Sequence, residues 1–203
     1  MSKELFLVGG KPGSGKSTAT KLAAELIGNI YYFSMGDEIR ARGLDGKASI
    51  YKDELELLAE DLRQSKPVPA HLASGVFEEC IEQSPYDRIL VDGYPQHYNR
   101  LPGFNESLEK VGGKVLAVFK IDVDDQTASQ RLKTRTKRFV EVGENDDAYI
   151  DHRLKQYREN IAPALDILAE QYPMHVIDGA RKPEGVAKSI VDLVGQYTGV
   201  SNS

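Results

Sequence analysis

The chain has no tryptophan, one cysteine and only four histidines. A single cysteine, Cys80, excludes an intrachain disulfide and points to a reducing compartment. It lies in the amphipathic run Val76-Phe77-Glu78-Glu79-Cys80-Ile81 and reads as a core thiol rather than a reactive one. His71, His97, His152 and His175 are scattered and make no metal-ligand spacing. No apolar stretch approaches membrane-spanning length, and the N-terminal segment lacks the apolar core of a signal peptide. The expected location is the cytoplasm, with no membrane as partner. A surplus of basic residues is also missing. Lys and Arg total 26 against 31 Asp and Glu, a net charge of -5, which argues against a nucleic-acid-binding surface. There is no internal repeat and no low-complexity segment. What remains is an ordinary soluble composition, 40% hydrophobic and 28% charged, over 203 residues. That suits one domain, 1–203, large enough to bury a full core.

What is present is a phosphate-binding loop. Gly10-Lys11-Pro12-Gly13-Ser14-Gly15-Lys16-Ser17 fits G-x-x-x-x-G-K-[ST] at every fixed position. Its context also fits. The apolar run Leu5-Phe6-Leu7-Val8 reads as a buried strand, and Lys16 to Ile27 reads as a helix. A strand, a glycine loop and a helix start gather backbone N–H groups at the positive end of a helix dipole. Glycines let the backbone approach the phosphates without Cβ atoms in the way. Lys16 supplies a charge for the β- and γ-phosphates, and Ser17 a hydroxyl for Mg²⁺. The competing reading is a glycine-rich turn without chemistry.

Four further segments read as core strands: Ile30–Phe33, Arg88–Val91, Val115–Ile121 and His175–Ile177. Helical periodicity fills the gaps. Ile50 to Leu62 places Leu55, Leu58, Ala59 and Leu62 on one face. Val68–Ile81, Thr127–Leu132, Tyr149–Leu168 and Val186–Val194 follow, with a kink expected near Pro163. Strands alternating with helices imply an α/β fold: a three-layer P-loop architecture with a five-stranded parallel sheet and helices on both faces. Ligands in such sheets bind at the carboxyl ends of the strands.

Three further segments can carry chemistry. In Phe33-Ser34-Met35-Gly36-Asp37-Glu38-Ile39-Arg40, Asp37 can cap a helix that starts there. Arg40 lies about one turn in; a capped helix with a surface arginine is the plain alternative. Asp92-Gly93-Tyr94-Pro95 directly follows a strand, so Asp92 is a candidate Mg²⁺ partner through water, or a simple turn residue. Ser17, Asp37 and Asp92 are the candidate metal-site residues. In Arg131 to Arg138 five of eight residues are basic and none acidic. That run is either a solvated helix end or a clamp for phosphoryl oxygens.

Taken in order, these segments resemble the adenylate kinase/UMP-CMP kinase family over nearly the whole chain. The resemblance rests on the GKPGSGKST loop, SMGDEIR, Pro67-Val68-Pro69 before a helix, DGYP, and Arg131-Leu132. It extends to Asp146-Asp147, to Arg153-Leu154 with Tyr157 and Pro163, and to Asp178-Gly179 with Lys182-Pro183. It implies an acceptor-binding part at about 34–69 and a short lid at about 135–147, without cysteines and so without a zinc staple. It implies that Gly10, Pro12, Gly13, Ser14, Gly15, Lys16, Ser17, Thr18, Arg131 and Lys182 bind ATP, with Arg131 over the adenine. Ser34, Met35, Arg40, Val68, Gly93, Gln96 and Arg100 would bind the nucleoside monophosphate. Arg40 would hold its phosphate, and Met35, Val68 and Gly93 would border its base. Arg135 and Arg153 would neutralise the transferring phosphoryl group. Monomeric behaviour is the family expectation.

The chain departs from that pattern in three places. Ser17 stands where the family usually has Gly. Gln96 and Arg100 reverse the family's Arg and Gln. Glu144 occupies the place of a lid arginine, a role that Arg138 could assume. If Gln96 begins a helical turn, Arg100 shares its face at i,i+4 and can reach the acceptor phosphate beside Arg40. The expected activity is ATP + NMP ⇌ ADP + NDP with Mg²⁺, AMP being the first acceptor. A UMP/CMP kinase is the alternative within the class. A nucleotide-binding regulatory protein with little transfer activity is the alternative outside it.

Overall fold

A computed structural model describes residues 2–63, 66–134 and 147–199, with Arg63 described by its backbone alone. Five parallel strands are ordered β2-β3-β1-β4-β5. They are β1 (Lys3–Gly9), β2 (Tyr31–Ser34), β3 (Arg88–Asp92), β4 (Gly113–Asp122) and β5 (Met174–Asp178). Each covers or overlaps an apolar run read from the sequence. Both faces of the central strands are buried, so these runs are continuously apolar. On β1, Leu5 and Leu7 face one layer while Phe6 and Val8 face the other. The first layer holds α5 (Ala70–Glu82), α6 (Leu101–Lys110) and α9 (Ala162–Gln171). The second holds α1 (Lys16–Ile27) and α10 (Pro183–Thr198). The β1–β4 register shifts between Leu5 and Phe6, which pair with Val115 and Ala117. That irregularity changes the phase of β4: Val115 and Val118 serve the first layer, Ala117 and Phe119 the second.

Several expected helices are modified. The single helix expected over Ile50–Leu62 is two, α3 (Lys52–Leu57) and α4 (Ala59–Arg63). The Leu58 N–H closes back on the Leu55 carbonyl at 3.1 Å, a tighter turn than the α-helix. This aims both Leu55 and Leu62 at Gly43, where a Cβ would lie 2.4 Å from Leu62 Cδ1. Pro69 keeps an extended backbone, so α5 begins at Ala70 rather than Val68. The Tyr149–Leu168 helix becomes α8 (Asp147–Gln156), a π-helical turn at Tyr157–Ile161, and α9. Pro163 sits in the first turn of α9, where its missing N–H is harmless, and the wider π turn precedes it. Asp37 does not cap α2 (Met35–Gly43). The helix leaves β2 with no intervening loop, Ser34 is the cap residue, and Asp37 lies inside the first turn. There its charge still favours the helix dipole.

The excursion between β2 and β3 is tied to α5 by a buried ion network. Arg42, fully buried on α2, bonds to Glu38 and, at 2.9 Å, to Glu79 on α5. Glu38 also meets Lys47. Glu79 accepts from the Ser49 hydroxyl at 3.0 Å and the Ile50 N–H at 2.9 Å. Burial pushes both glutamates up. Hydrogen bonds from Lys47 and Arg42 to Glu38, and from Ile50, Arg42 and Ser49 to Glu79, more than reverse this and hold both below the usual range. Cys80 lies against Arg42, and burial pushes its thiol up to about 12, an inert core group.

Arg42→Ala takes a buried cationic partner from two carboxylates at once, so we expect a loss of about 3–5 kcal/mol, on the scale of breaking a buried pair. Urea denaturation measures it. The folded pKa values of Glu38 and Glu79 lie below their unfolded values. Their stabilisation is therefore present above the unfolded glutamate pKa and lost as pH falls through the folded ones. The gap between wild type and Arg42→Ala should accordingly narrow in acid.

Candidate active site

β1 and β3 are neighbours, with Val8 opposite Asp92, so the loops after both strands leave the sheet side by side. The first loop approaches its neighbours closely. Gly10 has φ 149, and a Cβ there would lie 2.3 Å from the Ile121 carbonyl oxygen. Gly13 has φ 83, and its Cβ would lie 2.5 Å from the Ala128 carbonyl oxygen. Gly15, in the left-handed region, precedes α1 with no side-chain cap, and no acidic residue follows in the first turn. The N–H groups at the start of α1 thus face an electropositive, uncapped terminus. Pro12 and Ser14 are buried; Gly15 and Thr18 are exposed.

Asp92 is 1% exposed. Its Oδ2 accepts from the Tyr32 hydroxyl at 3.4 Å, and that hydroxyl also lies 3.5 Å from the Ser17 carbonyl oxygen. Burial pushes the Asp92 carboxyl up, opposed by the Lys16 charge and by the hydroxyls of Ser17 and Tyr32. Burial and the negative charges of Asp92 and Asp37 push the Tyr32 phenol up, so it remains a donor. Asp92 Oδ1 and Ser14 Oγ are buried without a hydrogen-bond partner. The orphaned Asp92 oxygen beside Lys16 and Ser17 marks a place built for a group that supplies donors or positive charge, and the Ser14 hydroxyl is a second unmatched oxygen in the loop. Among the described residues no three His, Cys, Asp or Glu side chains cluster as a metal centre. A cation here would therefore draw on ligand oxygens as well as protein ones.

Around this point stand the other segments read from the sequence. Arg131, on α7 (Asp125–Lys133), donates to the carbonyls of Gly179 at 2.7 Å, Ala180 at 3.1 Å and Ser14 at 3.4 Å. It braces the phosphate loop against the turn after β5. Lys182 is exposed at the start of α10. Met35, Val68 and Tyr94 are buried in one apolar cluster. Arg40 folds back to Asp37 at 2.6 Å, against Gly36. Gln96 lies over Gly93, its Nε2 2.6 Å from where a Cβ would stand. Gln96 does not begin a helical turn. It is outside the helices, a short turn spans Tyr98–Arg100, and α6 starts at Leu101 with proline in its first turn. Gln96 and Arg100 therefore share no helical face. Arg100 Nη2 instead donates to the Val68 carbonyl at 2.6 Å, and burial lowers the pKa of its guanidinium. Arg153 donates to the Tyr149 hydroxyl at 3.1 Å. Arg135, Arg138 and Glu144 lie outside the described residues.

Tyr32 was not legible as a site residue. An aromatic on a strand reads as core, and only the pairing of β2 with β3 brings it to Asp92. Asp125 was also missed. Its carboxylate holds Lys11 at 2.7 Å and Arg158 at 3.0 Å. The repeated Asp124-Asp125 was the available signal, with Asp124 the helix cap through the Thr127 N–H at 2.7 Å.

The family profile described as "Adenylate kinase" matches residues 7–172. This chain belongs to the adenylate kinase family. It is 26% identical to an adenylate kinase of Nautilia profundicola, over 98% of this chain and all of that protein. It is also 26% identical to one of Campylobacter lari, covering 96% and 98% of the two chains. The match to one of Campylobacter jejuni subsp. jejuni is 27% over 95% and 96%. This member of the adenylate kinase family is a phosphotransferase, a nucleoside monophosphate kinase using ATP.

Adding one methyl group at the loop tests the cradle. Gly13→Ala combines a positive φ with a 2.5 Å clash against the Ala128 backbone. We expect about 1–3 kcal/mol of destabilisation. The stabilisation that ATP gives to wild type in a thermal melt should largely disappear in this variant.

Proposed function

We propose that this kinase transfers the γ-phosphoryl group of ATP to AMP, with Mg²⁺ accompanying the nucleotide. The observation that carries this reading is the buried Asp92 carboxylate, with one unpartnered oxygen, beside Lys16 and Ser17 at the mouth of an uncapped phosphate loop. The names of its relatives support AMP as acceptor. In the reaction an oxygen of the AMP phosphate attacks the γ-phosphorus. The bond from that phosphorus to the β–γ bridging oxygen breaks, and its electron pair leaves with ADP. Such transfer depends on in-line positioning and charge stabilisation more than on covalent chemistry.

The loop N–H groups and Lys16 hold the donor phosphates. Ser17 and, through water, Asp92 would hold Mg²⁺, which when bound neutralises charge on the β- and γ-phosphate oxygens. A cation beside Asp92 would favour the charged form of that carboxyl, against the upward push of burial. Arg131, already braced on the loop, is at hand for the adenine. On the acceptor side Met35, Val68 and Gly93 border the base. Arg40 and Arg100 take the phosphate: Arg40 by leaving Asp37, Arg100 from a half-buried position where no described carboxylate pairs with it. By the family resemblance the segment at about 135–147 would serve as a lid, and Arg135, Arg138 and Arg153 would neutralise the transferring group; of these only Arg153 is among the described residues.

A coupled assay of ADP formation with AMP, UMP, CMP, GMP and dTMP tests the acceptor; AMP should give the highest kcat/KM. Lys16→Met should lower kcat at least about a hundredfold with folding intact, the scale of losing one preorganised charge. Arg100→Ala should raise KM for the acceptor about tenfold or more and leave KM for ATP nearly unchanged. An unchanged acceptor KM would leave Arg40 as the sole acceptor-phosphate arginine.

A further inference from the structure

Lys11 occupies a variable position of the phosphate loop, so the loop motif does not require a cation there. Its side chain is nonetheless 11% exposed, with Nζ 2.7 Å from Asp125 Oδ1 and 5.8 Å from the centre of the Tyr157 ring. The other Asp125 oxygen, Oδ2, accepts from Arg158 Nη1 at 3.0 Å. One carboxylate at the first residue of α7 thus carries two cations, one from the loop after β1 and one from the π-helical turn. The hydrogen bond and charge of Lys11, joined by Arg158, hold the Asp125 carboxyl below its usual range.

The location matters more than the pair. Ile161, at the end of the π turn, and Leu165 wall a cavity whose other side is Gly9, Gly10, Lys16 and the Gly93–Gln96 segment. Lys11 stands over Tyr157, one turn before Ile161, and directly follows Gly10, which lines that cavity together with Lys16. Its own backbone belongs to the loop around the donor phosphates. Asp125 is about half exposed, at 54%. Solvent reaches Asp125 and screens its side of the pair, which weakens its hold on Lys11. The phosphates of two bound nucleotides offer more negative charge, in a site from which water is displaced. If Lys11 left, Arg158 would remain on Asp125, so the carboxylate would not be stranded.

We propose that Lys11 is a second phosphate-contacting lysine of this loop, stored on Asp125 in the nucleotide-free protein and passed to the transferring phosphoryl group when both nucleotides bind. The inference rests on the phosphoryl-transfer reading of the site and adds a residue to it. Lys11 has the flexible stem and point charge suited to such a move. Arg158 is the fixed counter-charge, and Asp125 the holder.

The test uses the full chain with Lys11→Met, Lys11→Arg and Asp125→Asn. It reads kcat, the two KM values, melting temperature, and calorimetric affinity for a two-headed probe of two adenosines joined by five phosphates. Lys11→Met should lower kcat and probe affinity each about tenfold or more, with KM values within about threefold, as for a charge used mainly in transfer. Lys11→Arg should recover much of both. Asp125→Asn releases Lys11 and should tighten the probe about threefold. The proposal is overturned if Lys11→Met keeps kcat and probe affinity while its melting temperature falls in step with that of Asp125→Asn. That result would make the bridge a structural brace. If Lys11→Met does not fold, Asp125→Asn decides, since a weakened probe there contradicts storage. A wild-type protein that phosphorylates no nucleoside monophosphate counts against the reading of the site. One that does, with Lys11→Met unimpaired, counts against Lys11 alone.

Discussion

The pairing of β1 with β3 is the constraint on which the site depends. Val8 opposite Asp92 brings two loops from distant parts of the sequence to the same edge of the sheet. It also buries a carboxylate beside a lysine and a helix N-terminus. A lone buried carboxylate is costly and tends to neutralise. Here Lys16, Ser17 and Tyr32 offset part of that cost, and one oxygen remains unmatched. On the proposed reading, the same feature that is unfavourable for folding makes the point receptive to a cation and to the phosphates that carry it.

Charge elsewhere is arranged in two different ways. Around Arg42 the ions are buried and mutually satisfied, and they hold the acceptor-side excursion onto α5. Around the site the cations rest on exposed or weak partners. Arg40 sits on Asp37, which is 64% exposed, Lys11 on a half-exposed Asp125, and Arg100 on a backbone carbonyl. Exposed pairs exchange cheaply while buried ones do not. The structure therefore separates charges that stabilise the fold from charges that remain available to anionic ligands.

Most of the framework was legible in the sequence. The five strands are short apolar runs bounded by turn residues, and α1 follows its glycine loop with the bounds expected. What was not legible depended on close local packing or on pairing across the sheet. Periodicity over Ile50–Leu62 cannot reveal a tight turn at Leu58, with Leu55 and Leu62 on either side of it both packed at Gly43. Asp37 reads as a cap because nothing in composition shows a helix leaving a strand without a loop. The Gln96–Arg100 segment is not a helical turn, and Arg100 bonds to a carbonyl 32 residues earlier in the chain, a partner that local spacing cannot reveal. Tyr32 and Asp125 reach the site only through tertiary structure.

The central claim is that the loop, Lys16 and Asp92 serve transfer between nucleotides rather than hydrolysis. Phosphorus NMR of ATP, AMP and Mg²⁺ with a small amount of the protein addresses it directly, because ADP and inorganic phosphate are resolved in one spectrum. The account predicts two ADP formed for each ATP consumed, with no inorganic phosphate, and a much slower change with Asp92→Asn. Inorganic phosphate growing in step with ADP while AMP stays constant would contradict it.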